Sequence, residues 1–288
     1  MQKVIVILGQ TATGKSDLAV QIAKQVGGEI ISADSRQVYT DLDIGSGKIT
    51  KKEMSGIPHY LLNVANPKRK FTVTQYKKLA DKKIEEILKR NKVPIICGGT
   101  GFYIDAVVHN MILPEVKPNI KLRKELEKKS ETELFKILKN LDAERAKTID
   151  AKNKVRLVRA IEIAQALGKV PMLKKAPIKY EFIKIGLCAP TDILSKRIEK
   201  RLLSRIKTGM LLEAKKLHRK GISWKRMEEL GLEYRFMALH LQGKITEKEM
   251  IEKLQTAIIQ YAKRQMTWFK KDNEIKWYTL DQIKKIKI

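Results

Sequence analysis

Gly9-Gln10-Thr11-Ala12-Thr13-Gly14-Lys15-Ser16 is a complete G-x-x-x-x-G-K-[ST] run, the pattern that cradles phosphate in nucleotide- and ATP-binding proteins. The glycines let the backbone turn and approach an anion, so that successive N–H groups of the run point inward. Lys15 is a point charge for the terminal phosphates, and the Ser16 hydroxyl is a ligand for a Mg²⁺ that bridges phosphate oxygens. The apolar run Val4 to Leu8 precedes the octapeptide, and Asp17 to Ala23 follows it with apolar residues at helical spacing. The context is therefore strand, loop and helix, and the positive end of the helix dipole adds to the anion site.

Two other groups could do chemistry beside a phosphate. Asp34-Ser35-Arg36-Gln37-Val38-Tyr39 follows a second strand, which puts a carboxylate at the sheet edge where open α/β folds bind ligands. Asp34 is suited to general base or Mg²⁺-associated work, and Arg36 with Gln37 to a planar or phosphate-bearing substrate; capping of the next element by Asp34 or Ser35 is an equal alternative. Gly98-Gly99-Thr100-Gly101-Phe102-Tyr103 ends the fourth strand, Val93 to Cys97, with no Asp or Glu at its tip. P-loop ATPases and GTPases hold Mg²⁺ with such a carboxylate, so ordinary nucleotide hydrolysis is disfavoured. The glycines predict a close approach of backbone to ligand with the Thr100 hydroxyl offered to it, a structural turn being the alternative.

The elements that must position these residues alternate. Strands are predicted at Lys3 to Leu8, Glu29 to Ala33, Tyr60 to Val64, Val93 to Cys97, Phe182 to Cys188 and Ile275 to Leu280, with helical patterns between most of them. That is an α/β fold, a P-loop parallel sheet flanked by helices. From Pro114 to about Lys179 helical patterns (Lys121 to Lys129, Glu131 to Leu141, Asn153 to Leu167) follow one another without a strand. A small all-helical subdomain at 114–179 is therefore expected inside a core of 1–113 and 180–288.

The 288 residues carry 60 Lys and Arg against 32 Asp and Glu, a net charge of +28. Such an excess favours a polyanionic partner, nucleic acid above all, over the bland reading of solvated lysine faces on helices such as Tyr76 to Ile84. Cys97 and Cys188 sit in apolar runs and read as buried thiols, and the four histidines are scattered, which argues against zinc. With no charged leader ahead of the first strand and no apolar stretch of membrane-spanning length, a cytoplasmic protein is expected.

Together, Gly9 to Ser16, Asp34 to Tyr39, Gly98 to Tyr103, Arg156-Leu157-Val158-Arg159-Ala160-Ile161-Glu162 and Arg264-Gln265-Met266-Thr267-Trp268-Phe269 resemble the tRNA dimethylallyltransferase (IPP transferase) family over nearly the whole chain. The resemblance implies transfer of a dimethylallyl group from dimethylallyl diphosphate to N6 of the adenosine 3′ to the anticodon, tRNA position 37. Diphosphate is then the leaving group, held by the octapeptide with Mg²⁺ on Ser16. It further implies Asp34 as the base, Thr100 beside the reacting centre, and tRNA contacts from Asp34, Ser35, Arg36, Gln37, Thr100, Arg123, Val155, Arg156, Leu157, Val158 and Arg159. On that reading the insertion grips the anticodon stem-loop, the adenosine is flipped out of its stack, and the enzyme is a monomer. Gln10 stands where the family more often has Pro. Thr191 stands where an Arg is expected, so Arg197, Arg201 or Arg205 must compensate. Arg264, Gln265 and Trp268 either buttress the site or pack the last helix. The competing functions are a P-loop small-molecule kinase, an isopentenyltransferase acting on free AMP, and a non-catalytic RNA-binding module.

Overall fold

Along β1 (Lys3–Gly9), Val4, Val6 and Leu8 face one way and Ile5 and Ile7 the other, all at most 1% exposed. A strand apolar on both faces can only sit inside a sheet covered on both sides. The computed structural model, which describes residues 1–286, has β1 between β4 (Val93–Cys97) and β7 (Glu181–Leu187). Outside them lie β2 (Gly28–Ser32) with β3 (His59–Tyr60), and β8 (Lys276–Tyr278). The order is β3-β2-β4-β1-β7-β8 with every pairing parallel, so the P-loop parallel sheet read from the sequence is correct. The strand expected at Tyr60 to Val64 stops at Tyr60, because Leu61 and Asn63 take positive φ and turn the chain away.

One face of the sheet is covered by the helix Lys15–Val26 through Leu18, Ala19, Val20, Ile22 and Ala23. The other receives Val73–Lys89 and Gly101–Val108, then the helical run Thr191–Lys207, Met210–Arg219, Trp224–Leu230, Leu232–Leu241 and Glu247–Phe269. Both cysteines are free, Cys97 buried and Cys188 half-buried. No helix among the described residues is long and apolar enough to cross a membrane.

The chain forms two compact units, Met1–Asn110 with Pro177–Ile288, and Met111–Ala176. Asn110 Nδ2 donates to Pro177 O at 2.8 Å, stapling the points where the chain leaves and re-enters the first unit. The second unit is not wholly helical. Short strands β5 (Met111–Ile112) and β6 (Lys174–Lys175) pair antiparallel at its base, too brief to leave a sequence period. Its helices Ile120–Leu126, Glu131–Leu141, Ala143–Thr148 and Lys154–Leu167 close on Leu126, Leu134, Leu138, Leu157, Val158 and Ile161.

Inside this unit the carboxylate of Glu162, 1% exposed, takes Arg123 Nε at 2.8 Å, Arg123 NH2 at 2.6 Å, the Asn119 N–H at 2.7 Å and the guanidinium of Arg159. Burial raises the carboxyl, but these hydrogen bonds outweigh it and hold the group below its ordinary range. Arg123 and Arg159 are thus partly spent on an internal carboxylate, whereas Arg156 is exposed. Leu157 and Val158 lie in the core, whereas Val155 is 80% exposed. Glu162→Ala strands two guanidinium groups around an emptied site and is expected to lower the stability of this unit by about 3 kcal/mol. Urea denaturation followed by circular dichroism checks it, and a loss below about 1 kcal/mol would show that the arginines are held by something else.

Candidate active site

β1, β2, β4 and β7 all end at one edge of the sheet, and the groups singled out in the sequence meet there around an open cavity of about 1260 Å³. The octapeptide lines it with Thr11, Ala12, Gly14, Lys15 and Ser16. Gly14, at φ +83°, turns the chain through the left-handed region so that the helix starts at Lys15. The remaining residues of the run build the loop and do not face the cavity. Gly9 packs against the Leu187 carbonyl, and the Gln10 carbonyl accepts from Thr13 Oγ1 at 2.8 Å and Lys15 Nζ at 2.5 Å. Burial draws the Lys15 ammonium down to about 8, with Arg201 adding to the fall and Asp34 opposing it.

Asp34 both caps and faces the cavity. Its Oδ1 accepts from the N–H groups of Arg36 (2.8 Å) and Gln37 (3.2 Å), which folds the turn, and Oδ2 takes no hydrogen bond from the described residues. Ser35, Arg36 and Gln37 join it in the lining. Gln37 is held from both ends, by Ser32 Oγ at 3.4 Å and by donation to Gly47 O at 3.3 Å.

The glycines after β4 are tightly packed against the protein. A Cβ on Gly98 would lie 2.2 Å from Ala33 O, one on Gly99 2.2 Å from Gln265 Nε2, and one on Gly101 2.4 Å from the Trp268 ring. Gly98 and Gly99 also line the cavity with their backbone. Thr100 is absent from the lining, and its Oγ1 accepts the Ser35 N–H at 3.0 Å, so its hydroxyl fixes the Asp34 turn.

Gln265 and Trp268 are buttresses. Gln265 Oε1 accepts from Thr11 N at 2.8 Å while Nε2 donates to Gly99 O at 2.8 Å, one amide joining the phosphate loop to the glycine turn. Trp268 covers Gly101 and donates to Asp105 Oδ2 at 2.9 Å. Arg264 lines the cavity beside Tyr261.

Arg197, Arg201 and Arg205 recur every fourth residue on one face of Thr191–Lys207 and all line the cavity. Arg197 Nε donates to Ala12 O at 2.8 Å, Arg201 NH2 to Gly47 O at 3.2 Å, and Arg205 NH1 to Gly45 O at 3.2 Å and Glu233 Oε1 at 3.3 Å. Withdrawal from water, then the neighbouring Arg205, lower Arg201 to about 10, and burial raises Glu233 despite the nearby Arg205. Glu233 went unnoticed in the sequence, where a carboxylate after a glycine resembles any first turn of a helix. Lys15, Arg197 and Arg201 therefore rest on neutral carbonyls, with no direct ion pair among the described residues, in a cleft shaped around a phosphate loop. Ser16 and the carboxylates of Asp17 and Asp34 add a set of oxygen donors suited to a hard cation.

Gln265→Leu removes both halves of the staple and leaves the Thr11 N–H and the Gly99 carbonyl short of a partner. It is expected to cost about 2 kcal/mol of stability and to weaken binding of inorganic pyrophosphate, since the loop amides lose their fixed aim. Thermal denaturation and calorimetric titration check the two effects, and unchanged pyrophosphate affinity would remove Gln265 as the support of the loop.

The comparisons with known proteins agree with this geometry. The family model described as IPP transferase matches residues 37–272. Among curated relatives, tRNA dimethylallyltransferase 2 of Treponema denticola is 45% identical over 93% of this chain and 91% of its own length, and the tRNA dimethylallyltransferase of Halothermothrix orenii is 40% identical over 96% and 87%. Among solved structures, the full-length tRNA isopentenylpyrophosphate transferase of Bacillus halodurans superposes with a TM-score of 0.75 at 34% identity, over 99% of this chain and 94% of that one. A eukaryotic dimethylallyltransferase acting on tRNA gives 0.83 at 27% identity, over 97% and 74%. The chain belongs to the IPP transferase family.

Proposed function

We propose that the protein transfers a dimethylallyl group from dimethylallyl diphosphate to N6 of the adenosine 3′ to the anticodon, position 37 of tRNA, releasing diphosphate. The observation that carries this reading is the shared cavity: cations held on neutral carbonyls around a phosphate loop, with Asp34 Oδ2 free of hydrogen bonds from the described residues in the same lining.

The N6 lone pair attacks the allylic C1, the C1–O bond breaks with its electron pair leaving on the diphosphate oxygen, and the N6 proton passes to Asp34 Oδ2. Lys15, Arg197, Arg201 and the loop amides meet the charge that builds on the departing oxygen. Thr100 holds the turn that aims Asp34. Ser16, with diphosphate oxygens, would hold a Mg²⁺ that supplies further neutralisation of the leaving group. The net charge of +28 and the exposed Arg156 suit a polyanionic acceptor, tRNA, gripped at its anticodon stem-loop with the adenosine flipped out. The enzyme acts as a cytoplasmic monomer on this reading.

Incubation with labelled dimethylallyl diphosphate or γ-labelled ATP, and with unmodified tRNA or AMP, tests it. Label should reach tRNA from the prenyl donor alone, and mass spectrometry should place it on the anticodon-loop adenosine. Transfer from ATP would establish a kinase, and turnover on AMP without tRNA turnover a free-nucleotide enzyme. Asp34→Ala should abolish transfer while tRNA affinity stays within about threefold; undiminished transfer would remove Asp34 as the base.

Lys15 sets a pH limit. The anion prefers the charged ammonium, so below pH about 8 affinity is level, and above it each deprotonated site must be reprotonated before binding. An organic diphosphate is already fully ionised there, so its own titration does not interfere. The KM for dimethylallyl diphosphate should climb by up to about tenfold per pH unit above 8. A level KM through pH 9.5 would show that the ammonium is not titrating.

A further inference from the structure

Glu213, in the first turn of Met210–Arg219, does not line the cavity, yet its carboxylate is engaged from four sides. Oε2 accepts the N–H groups of Asp43 (2.9 Å) and Ile44 (2.6 Å), and Oε1 those of Gly45 (3.0 Å) and the Tyr234 hydroxyl (2.8 Å). Three consecutive amides converging on one anion make a nest of the kind proteins use for bound anions, here filled by the protein's own side chain. The nested loop faces the cavity with its other side. Its Gly45 carbonyl takes Arg205, and its Gly47 carbonyl takes Arg201 and Gln37. The guanidinium groups crowd the loop so closely that a Cβ on Gly47 would lie 1.9 Å from Arg205 NH2 and 2.5 Å from Arg201 NH2.

We propose that Glu213 is a positioning residue for the diphosphate site: by nesting Asp43, Ile44 and Gly45 it fixes the carbonyls that set where Arg201 and Arg205 present their charge. The inference rests on the cavity being the diphosphate site proposed above. A carboxylate is required because both oxygens must accept. A glutamine would turn an NH₂ donor toward N–H groups and push the loop off its seat. The arginines would then lose their carbonyl partners, and their mutual repulsion would spread them.

The test compares Glu213→Gln with the wild-type chain by calorimetric titration with inorganic pyrophosphate and by steady-state kinetics, after circular dichroism has shown the variant to be folded. The pyrophosphate Kd should rise about tenfold or more and kcat/KM for dimethylallyl diphosphate should fall at least as far, with the KM for tRNA within about threefold, a split that general loss of structure does not produce. If Glu213→Gln fails to fold, Gly45→Ala decides the matter by the same readings, because its added methyl meets the Tyr234 ring at 2.8 Å and Glu213 Oε1 at 3.2 Å and lifts the loop from the nest. A folded variant that binds pyrophosphate as the wild type does overturns the role of Glu213 alone. A wild-type chain that binds no pyrophosphate overturns the diphosphate reading and this one with it.

Discussion

Everything at the sheet edge depends on holding like charges together without their natural partners. Lys15, Arg197 and Arg201 face one cleft and rest on backbone carbonyls, whereas Arg205 reaches a carboxylate, Glu233. On the helix Thr191–Lys207 alone, each like-charged pair four residues apart costs about 0.2–0.5 kcal/mol, and the spacing is used twice. Withdrawal from water is the larger part of the fall of Lys15 to about 8 and of Arg201 to about 10, and the neighbouring arginine adds to each. A fold tolerates this where a bound polyanion offsets it.

The cost is borne by ties between segments far apart in the chain. The amide of Gln265 reaches across 254 residues to Thr11, Glu213 seats the loop that carries Gly45 and Gly47, and Thr100 pins the turn that aims Asp34. Each tie joins a strand-end loop to a helix packed on the same face of the sheet, so the rigid body behind the cavity is the core itself. Preorganisation of this kind lets charge development at the leaving group be met without reorganising the protein.

This also explains what the sequence does and does not disclose. The octapeptide, β1 and β4 are legible because their chemistry and their periodicity are local, and the parallel sheet follows from them. The arginines of Thr191–Lys207 were recognisable as a set from the missing Arg at Thr191, but nothing in their spacing says which carbonyls they meet. At Gly98, Gly99 and Gly101 a glycine reports only that something comes close; the packing partners, Ala33, Gln265 and Trp268, are supplied by the fold. Glu213 and Glu233 give no signal at all, and Glu162 is only the last residue of a run that stands out for its arginines. Each sits in a helix where a glutamate is unremarkable, and its importance lies in what converges on it from elsewhere.

A second charged cavity shows why partnering, not charge, marks the working site. A smaller space of about 160 Å³ behind the glycine turn is lined by Asp105, His109, Lys184, Trp268, Lys271 and Asp272. Lys184 is 4% exposed there, and burial alone would lower its ammonium. Hydrogen bonds to Asp272 at 2.7 Å and Glu274 at 2.6 Å raise it instead. Asp105, pushed up by burial, takes the Trp268 indole N–H. Lys184 and Asp105 have thus found partners within the protein, and the Asp105 carboxylate braces Trp268 against Gly101. At the phosphate loop the cations sit on neutral carbonyls and the spare oxygen of Asp34 has no donor. Two cavities built from the same residue types thus differ in what remains unsatisfied, and only the one at the strand ends needs a polyanion to complete it.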